Sequence, residues 1–380
     1  MTMGDKLDKL RERSLLRIRR SVESACAPEL AVEGRTVLAF ASNDYLGLAA
    51  DPALIEAARE GARRYGVGAG ASHLISGHYT PHQELEERLA AFVGMERALY
   101  FSTGFMANLG VVTSLAGQND AVFSDQLNHA SLIDGIRLSG AEKHIYPHRD
   151  LAALEAQLSA CSEASKLVVS DAVFGMDGDL APLPELLELC ERHDALLLVD
   201  DAHGFGVQGP QGRGSLAKFG ISSPRVVYIG TLGKAAGVSG AFAAGSGELI
   251  EWLLQSARTY IFTTGAPPLL ALALLASVDQ IERGDRRRAH LAQLIAQLRT
   301  GLRLKRWRLS DSTTAIQPLI IGENSEALRI GAQLYESGLW IPVIRPPTVP
   351  EGTSRLRISL SAAHTPEQVE RLVTALNELE

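Results

Sequence analysis

Ala195-Leu-Leu-Leu-Val199 runs without a polar residue into Asp200-Asp201-Ala202-His203, and Val226-Val-Tyr228-Ile229 runs likewise through Gly230-Thr231-Leu-Gly233 to Lys234. A short, unbroken Val/Leu/Ile run is the mark of a strand covered on both faces, as in a parallel sheet. Both runs end in polar residues, and in open α/β sheets ligands gather at the carboxyl ends of strands. Outward from this pair the same grammar predicts strands at Arg97–Phe101, Ala121–Ser124, Lys143–Tyr146, Lys166–Ser170 and Ala241–Ala244. The expected fold is therefore α/β, with a mostly parallel seven-stranded sheet.

Amphipathic stretches separate these runs. Pro52–Tyr65 and Phe105–Ala116 are predicted helices, as is Pro81–Val93, for which Thr80 and Gln83 have capping-box spacing and Gly94 gives the stop. Asn128 and Asp150 are expected to cap two more. Beyond an Arg-rich helical stretch the pattern changes. Strands are expected at Ala315–Ile321, Trp340–Ile344 and Arg355–Leu360, a helix at Asn324–Ser337, and a last helix opening at Thr365 with Gln368 three residues on. These form a small C-terminal α+β domain. We place the domains at 1–45 (an N-terminal helical segment), 46–285 (large) and 286–380 (small).

The 380 residues carry 37 Lys and Arg against 44 Asp and Glu, a net charge of −7. That balance argues against nucleic acid and anionic membranes as partners. Cys26, Cys161 and Cys190 are odd in number and form no CxxC, which suits reduced thiols in the cytoplasm. The N-terminus mixes both charges and has no apolar core, so no secretory signal is read. The uncharged stretches 98–119 and 259–278 are interrupted by polar residues or by Pro267-Pro268, and neither is read as a membrane span.

Several motifs lack the context that would give them meaning. Gly66-Val-Gly68-Ala-Gly70 follows a helix, where dinucleotide binding requires a strand. Gly204-Phe-Gly206-Val-Gln-Gly209 follows a strand but leads into more glycines and a proline, leaving no helix to receive a pyrophosphate. His73, His78 and His82 invite a metal reading, but Pro81 places His78 outside the helix of His82, and we assign no metal.

A different set carries chemistry. A lysine among small residues after a buried strand can lose solvation and form a Schiff base, although Lys234 alone is equally an ordinary surface lysine. Asp200 changes the balance, because an aspartate facing a pyridine nitrogen keeps it protonated and makes the ring an electron sink. Gly104 and Phe105 open a predicted helix whose free N–H groups suit a phosphate. His129 offers an imidazole, which by itself would read as a structural histidine. Together these are the parts of a pyridoxal-phosphate site.

Six segments then occur in a recognisable order: Ser42-Asn43-Asp44-Tyr45-Leu46-Gly47, Thr103-Gly104-Phe105-x-Ala107-Asn108, His129-Ala-Ser131, Met176-Asp-Gly-Asp179, Asp200-Asp-Ala-His203-Gly and Thr231-x-Gly-Lys234. In this the chain resembles the α-oxoamine synthases, fold-type I pyridoxal-phosphate transferases that join an amino acid to an acyl-CoA with loss of CO2. The resemblance implies pyridoxal 5'-phosphate as cofactor and Lys234 as Schiff-base lysine and general base. It implies His129 stacked on the ring, Asp200 on the ring nitrogen and His203 on the ring oxygen. Gly104 and Phe105 amides would take the phosphate beside Thr231, with Thr264 reaching in from the partner of a homodimer whose active site lies at the subunit interface. Arg357 would hold the amino-acid carboxylate, and Arg17, Asn43, His129 and Thr348 match substrate-side positions.

Within the family, Ile344-Arg345-Pro346-Pro347-Thr348-Val349-Pro350 points to L-alanine and pimeloyl-CoA as substrates, a reaction of biotin synthesis. Three positions depart from the usual pattern. Gly175 stands where many members have a serine on the cofactor, so only a backbone contact is expected there. Phe262 replaces a tyrosine, and Ser72-His73 replaces a Ser-Arg pair. The alternatives are glycine with acetyl-CoA on the same machinery, an aminotransferase on the same fold, a non-enzymatic pyridoxal-phosphate carrier and a nicotinamide dehydrogenase.

Overall fold

A computed structural model describes residues 2–163 and 165–380. The chain forms two compact units. One comprises Asp51–Phe174 and Leu180–Asp285; the other comprises Met1–Ala50, Gly175–Asp179 and Arg286–Glu380.

The first unit is built on a seven-stranded sheet in the order Arg97–Phe101, Ala241–Gly245, Val226–Thr231, Ala195–Asp200, Ser165–Asp171, Asp120–Asp125, Glu142–Tyr146. The last five run parallel. Ala241–Gly245 is antiparallel to both of its neighbours. Every strand expected from the apolar runs is present. Val122, Phe123, Val168, Val169, Leu197, Leu198, Val227 and Ile229 are all buried, so successive residues pointing to opposite faces are both covered. That is why these strands read as unbroken runs rather than alternations.

Helices cover the sheet. Thr80–Val93 stops at Gly94, whose φ of 74° is the left-handed conformation glycine adopts without strain. Pro52–Tyr65 packs on Pro268–Glu282 through Gly61, where a Cβ would come within 2.7 Å of the Leu269 Cα; only glycine permits that approach.

Two caps differ from expectation. Tyr79, not Thr80, precedes the helix Thr80–Val93, and His82 Nδ1 accepts the Tyr79 N–H at 3.1 Å in place of the anticipated Thr80–Gln83 box. His129, not Asn128, caps the helix Ala130–Ser139. Asn128 is committed elsewhere: its Nδ2 donates to Ser124 Oγ (2.9 Å) and to the Val169 carbonyl (2.8 Å), and its Oδ1 accepts the Asp171 N–H (2.9 Å). The expected Asp150 cap is present, accepting the Ala153 N–H at 2.9 Å.

In the other unit, Glu29–Val32 and Arg35–Ala39 form a hairpin, and Leu339–Trp340 joins it in parallel. Residues Glu33 and Gly34 of its two-residue turn both have positive φ, at 50° and 76°, as the twist of a tight hairpin demands. Within residues 2–45 the described helix is Met3–Glu12. An antiparallel sheet runs Arg308–Leu309, Ile316–Gly322, Ser354–Ser359, Val343–Ile344. The strand expected over Trp340–Ile344 is thus two short ones in different sheets, split at Pro342, which has no N–H for a ladder. The last helix, Pro366–Leu379, opens with the expected box: Thr365 Oγ1 accepts from Gln368 N, and Gln368 Oε1 from Thr365 N.

Candidate active site

Three neighbouring parallel strands each end in aspartate: Asp125, Asp171 and Asp200. All three are buried, and each has different partners. Asp125 accepts the Leu127 and Arg149 N–H groups and faces His148 Nδ1 at 3.0 Å. Asp171 accepts the His129 N–H at 2.8 Å. Asp200 Oδ1 accepts the Ala202 N–H at 2.9 Å, and its Oδ2 accepts from Asn108 Nδ2 at 2.6 Å. Burial and then the nearby Asp200 charge push the Asp171 pKa well above the usual carboxylate value.

Lys234 follows the strand Val226–Thr231 in a loop folded onto itself, with Leu232 N–H donating to Gly240 O (2.8 Å) and Val238 N–H to Leu232 O (3.1 Å). Its Nζ lies 2.9 Å from His203 Nε2, which follows the neighbouring strand. The side chain therefore sits half-buried at the carboxyl edge of the sheet, where the sequence pattern places it.

His129 is an exposed residue with one occupied ring edge. Its Nδ1 lies 2.7 Å from Ser131 Oγ and accepts the Ser131 N–H at 3.3 Å. Asn108 Nδ2 donates to the same Ser131 Oγ at 2.8 Å. The protein around the imidazole removes enough water to hold its pKa below the ordinary value; Asp200 opposes that shift and Lys234 adds to it.

The helix Gly104–Leu115 starts at Thr103, whose Oγ1 accepts the Met106 N–H at 3.1 Å. Among the described residues no acceptor meets the N–H groups of Gly104 and Phe105. A Cβ on Gly104 would lie 2.9 Å from Thr231 Oγ1, which places that hydroxyl beside the two free amides. This is a place for an anion. The donor set fits pyridoxal 5'-phosphate: an amine at Lys234, an acid at Asp200, imidazoles at His129 and His203, and an amide–hydroxyl cradle for the phosphate. Thr264 is exposed and takes no part in these contacts.

In the other unit Arg357 is buried on the strand Ser354–Ser359. Its Nε donates to the Gly175 carbonyl at 2.6 Å, and its Nη1 donates to Asn43 Oδ1 (3.1 Å) and Ser359 Oγ (2.8 Å). The Tyr45 side chain also hydrogen-bonds to Arg357, and no acid pairs with the guanidinium among the described residues, so its charge suits an outside anion. Gly175 thus uses its carbonyl to aim Arg357. Arg17 Nη2 donates to Thr348 Oγ1 at 3.4 Å, so these two substrate-side candidates are neighbours.

Two of the positions that depart from the family pattern are also placed. Phe262 is 70% exposed, under the Arg258 guanidinium at 4.8 Å. His73 stacks on Tyr260 with ring centres 4.8 Å apart. A π-type turn, His73–Gly77, brings His78 back, so that Nδ1 of His73 and of His78 are 3.2 Å apart and a nitrogen of each of the three histidines lies within 4.8 Å of the others. Both nitrogens of His82 are nevertheless engaged, Nδ1 by Tyr79 N–H and Nε2 with the Ala266 carbonyl at 2.9 Å. That leaves two rings, short of a metal-ligand set.

Sequence reasoning gave no role to Asn108, Ser131 or Asp171. The first two stood inside quoted motifs and were a signal left unused. Asp171 ends a strand exactly as Asp200 does, but without a lysine or histidine motif behind it.

Residues 35–376 match the family model for aminotransferase class I and II. The 8-amino-7-oxononanoate synthase of Azoarcus sp. (strain BH72) is 63% identical over 374 residues, covering 98% of this chain and 96% of that protein. A serine palmitoyltransferase of Sphingomonas wittichii superposes with a TM-score of 0.94 at 33% identity, covering 100% of this chain and 98% of the other. A structure of SPT with PLP internal aldimine gives a TM-score of 0.94 at 31% identity, with coverages of 100% and 98%. The match starts in the N-terminal hairpin and ends in the last helix, and with the site geometry it leads to one conclusion: the chain belongs to the aminotransferase class I and II family, in the α-oxoamine synthase branch whose motif order it shares.

Proposed function

We propose that this chain catalyses the decarboxylative condensation of L-alanine with pimeloyl-CoA (6-carboxyhexanoyl-CoA), giving 8-amino-7-oxononanoate, CoA and CO2 for biotin synthesis, with pyridoxal 5'-phosphate as cofactor. The choice of product is carried by the 63% identity, over 98% of the chain, to a protein named for it. The chemistry is supported by Lys234 Nζ held 2.9 Å from His203 Nε2 beside the buried Asp200.

Pyridoxal 5'-phosphate, when bound, supplies an electron-withdrawing ring that stabilises negative charge at the amino acid's α-carbon. Gly104 and Phe105 amides and Thr231 Oγ1 would hold its phosphate, and Asp200 would keep the ring nitrogen protonated. His203 would meet the ring oxygen, His129 would cover a ring face, and Gly175 would contribute through backbone alone. Lys234 Nζ takes the α-proton of L-alanine, and its ammonium returns a proton to the product after CO2 has left. For the amino-acid carboxylate the residue is Arg357, with Asn43, Arg17 and Thr348 on the substrate side.

We extend the reading to assembly and location: a homodimer in the cytoplasm, each active site completed at the subunit interface by the partner copy's equivalent of Thr264. Phe105 at 45%, Ile75 at 79% and Phe262 at 70% exposure support an apolar surface awaiting a second copy. Among the described residues no helix is long and apolar enough to cross a membrane.

The test is CoA release by cofactor-loaded protein, pairing L-alanine or glycine with pimeloyl-CoA or acetyl-CoA. Release with L-alanine and pimeloyl-CoA, with the amino ketone identified by mass, is the expected result. Preference for glycine with acetyl-CoA would overturn the substrate assignment and keep the chemistry. No release with any pair would overturn both.

A further inference from the structure

We propose that Asn108 and Ser131 are positioning residues that hold His129 as its Nε2–H tautomer, with the direction of the whole hydrogen-bond chain set by the Asp200 carboxylate. The chain can be followed atom by atom. A carboxylate only accepts, so the Asn108 group 2.6 Å from Asp200 Oδ2 must be the NH2. A flipped Asn108 would set two acceptors against each other at that distance. The second N–H of the same NH2 then points at Ser131 Oγ, 2.8 Å away, which has to accept it. Ser131 has one hydroxyl hydrogen left, and His129 Nδ1 lies 2.7 Å from the oxygen. Nδ1 also accepts the Ser131 N–H at 3.3 Å. With two donors aimed at Nδ1, the ring proton of neutral His129 belongs on Nε2, the nitrogen on the open edge.

A second observation agrees. Asn108 is 2% exposed, and its Oδ1 is buried without any hydrogen-bond partner. An orphan buried acceptor weakens the fold, and a leucine of similar size would avoid it. The amide is retained with its oxygen unsatisfied and both hydrogens used, one on Asp200 and one on Ser131. The two residues it links lie 92 and 23 positions away in the chain. No local capping or turn requirement explains that arrangement.

The inference rests on the reading of His129 as a site residue, but its primary readout needs neither substrate nor turnover. Protein labelled with 15N-histidine is measured by long-range imidazole 15N–1H correlation, with the His129 signals assigned by their loss in His129→Gln. The wild-type ring should be protonated on Nε2. In Ser131→Ala, which removes the hydroxyl donor from Nδ1, the Nε2–H to Nδ1–H ratio should fall about fivefold or more, the size of one neutral hydrogen bond. The CoA-release kcat should fall with it. A wild-type ring protonated on Nδ1 overturns the proposal, and this needs no variant to fold. A smaller change of ratio, or a shifted tautomer with unchanged kcat, overturns it as well. Absence of CoA release by the wild type would instead count against the proposed function, since the tautomer is read without it.

Discussion

Asp171 and Asp200 stand directly opposite each other in the parallel register of adjacent strands, yet the fold gives them opposite tasks. Asp200 has Asn108 Nδ2 and the Ala202 N–H against its two oxygens. Asp171 has the His129 N–H, and burial beside a second carboxylate raises its pKa well above the usual carboxylate value. Two acids from equivalent strand ends are thereby separated into one that meets the site and one that anchors the histidine's backbone.

Asp171→Asn follows directly. A carboxyl whose pKa is raised by folding contributes stability that is fully present below about pH 4 and is lost as pH rises through its folded value. The asparagine keeps an oxygen for the His129 N–H and removes that loss. Chemical denaturation at pH 5 and pH 8 should show the variant no less stable at the higher pH. A deficit beyond about 1 kcal/mol there would show that the Asp171 proton is not what the fold uses.

Glu86 tests the same sign elsewhere. It is buried, accepts the Tyr100 N–H at 2.8 Å and is pushed up by burial to about 8. Between about pH 4.5 and 8 the wild type should lose stability as pH rises, with a slope of at most about 1.4 kcal/mol per pH unit from this group. Glu86→Gln should flatten the curve and be the more stable form at pH 9. Parallel curves for the two proteins would contradict the assignment.

Lys234→Ala removes the amine that His203 Nε2 holds at 2.9 Å. CoA release should drop by at least about a thousandfold, the scale of losing a general base that is also the nucleophile. The thermal midpoint should change little. Near wild-type turnover would move the chemistry to another residue.

Arg357→Lys replaces a planar fork that contacts Gly175, Asn43 and Ser359 by a point charge. The KM for L-alanine should rise about tenfold or more, with a smaller effect on the KM for the acyl-CoA. Initial rates with each substrate varied in turn separate the two. Equal effects on both would assign Arg357 a structural role.

Gly104→Ala places a methyl 2.9 Å from Thr231 Oγ1, inside the proposed phosphate cradle. The dissociation constant for pyridoxal 5'-phosphate, read from an absorbance titration, should rise about tenfold, which corresponds to about 1.4 kcal/mol. Unaltered affinity would place the phosphate elsewhere.

The elements were legible where the signal was local. Val226-Val-Tyr-Ile and Ala195-Leu-Leu-Leu-Val read as strands because both faces are covered, and Thr365 with Gln368 read as a cap because both partners lie within one turn. Elements were misjudged where a distant group competed. Asn128 is as good a cap as His129 by type, but its carboxamide is held by Val169 and Asp171, more than forty positions on. Trp340–Ile344 read as one strand because its pattern is continuous, while Pro342 sends its halves to different sheets.

The order of strands and helices, the lysine after a buried strand and the motif series all lie in the linear order of residue types, because hydrophobic periodicity and turn chemistry act over a few positions. The orphaned amide oxygen of Asn108, the raised pKa of Asp171 and the hold of the Gly175 carbonyl on Arg357 do not. Each depends on which polar group meets which after the chain has closed over water, across separations such as the 92 residues between Asn108 and Asp200. A buried polar atom must take whatever partner packing brings to it, and only the tertiary structure settles which one that is.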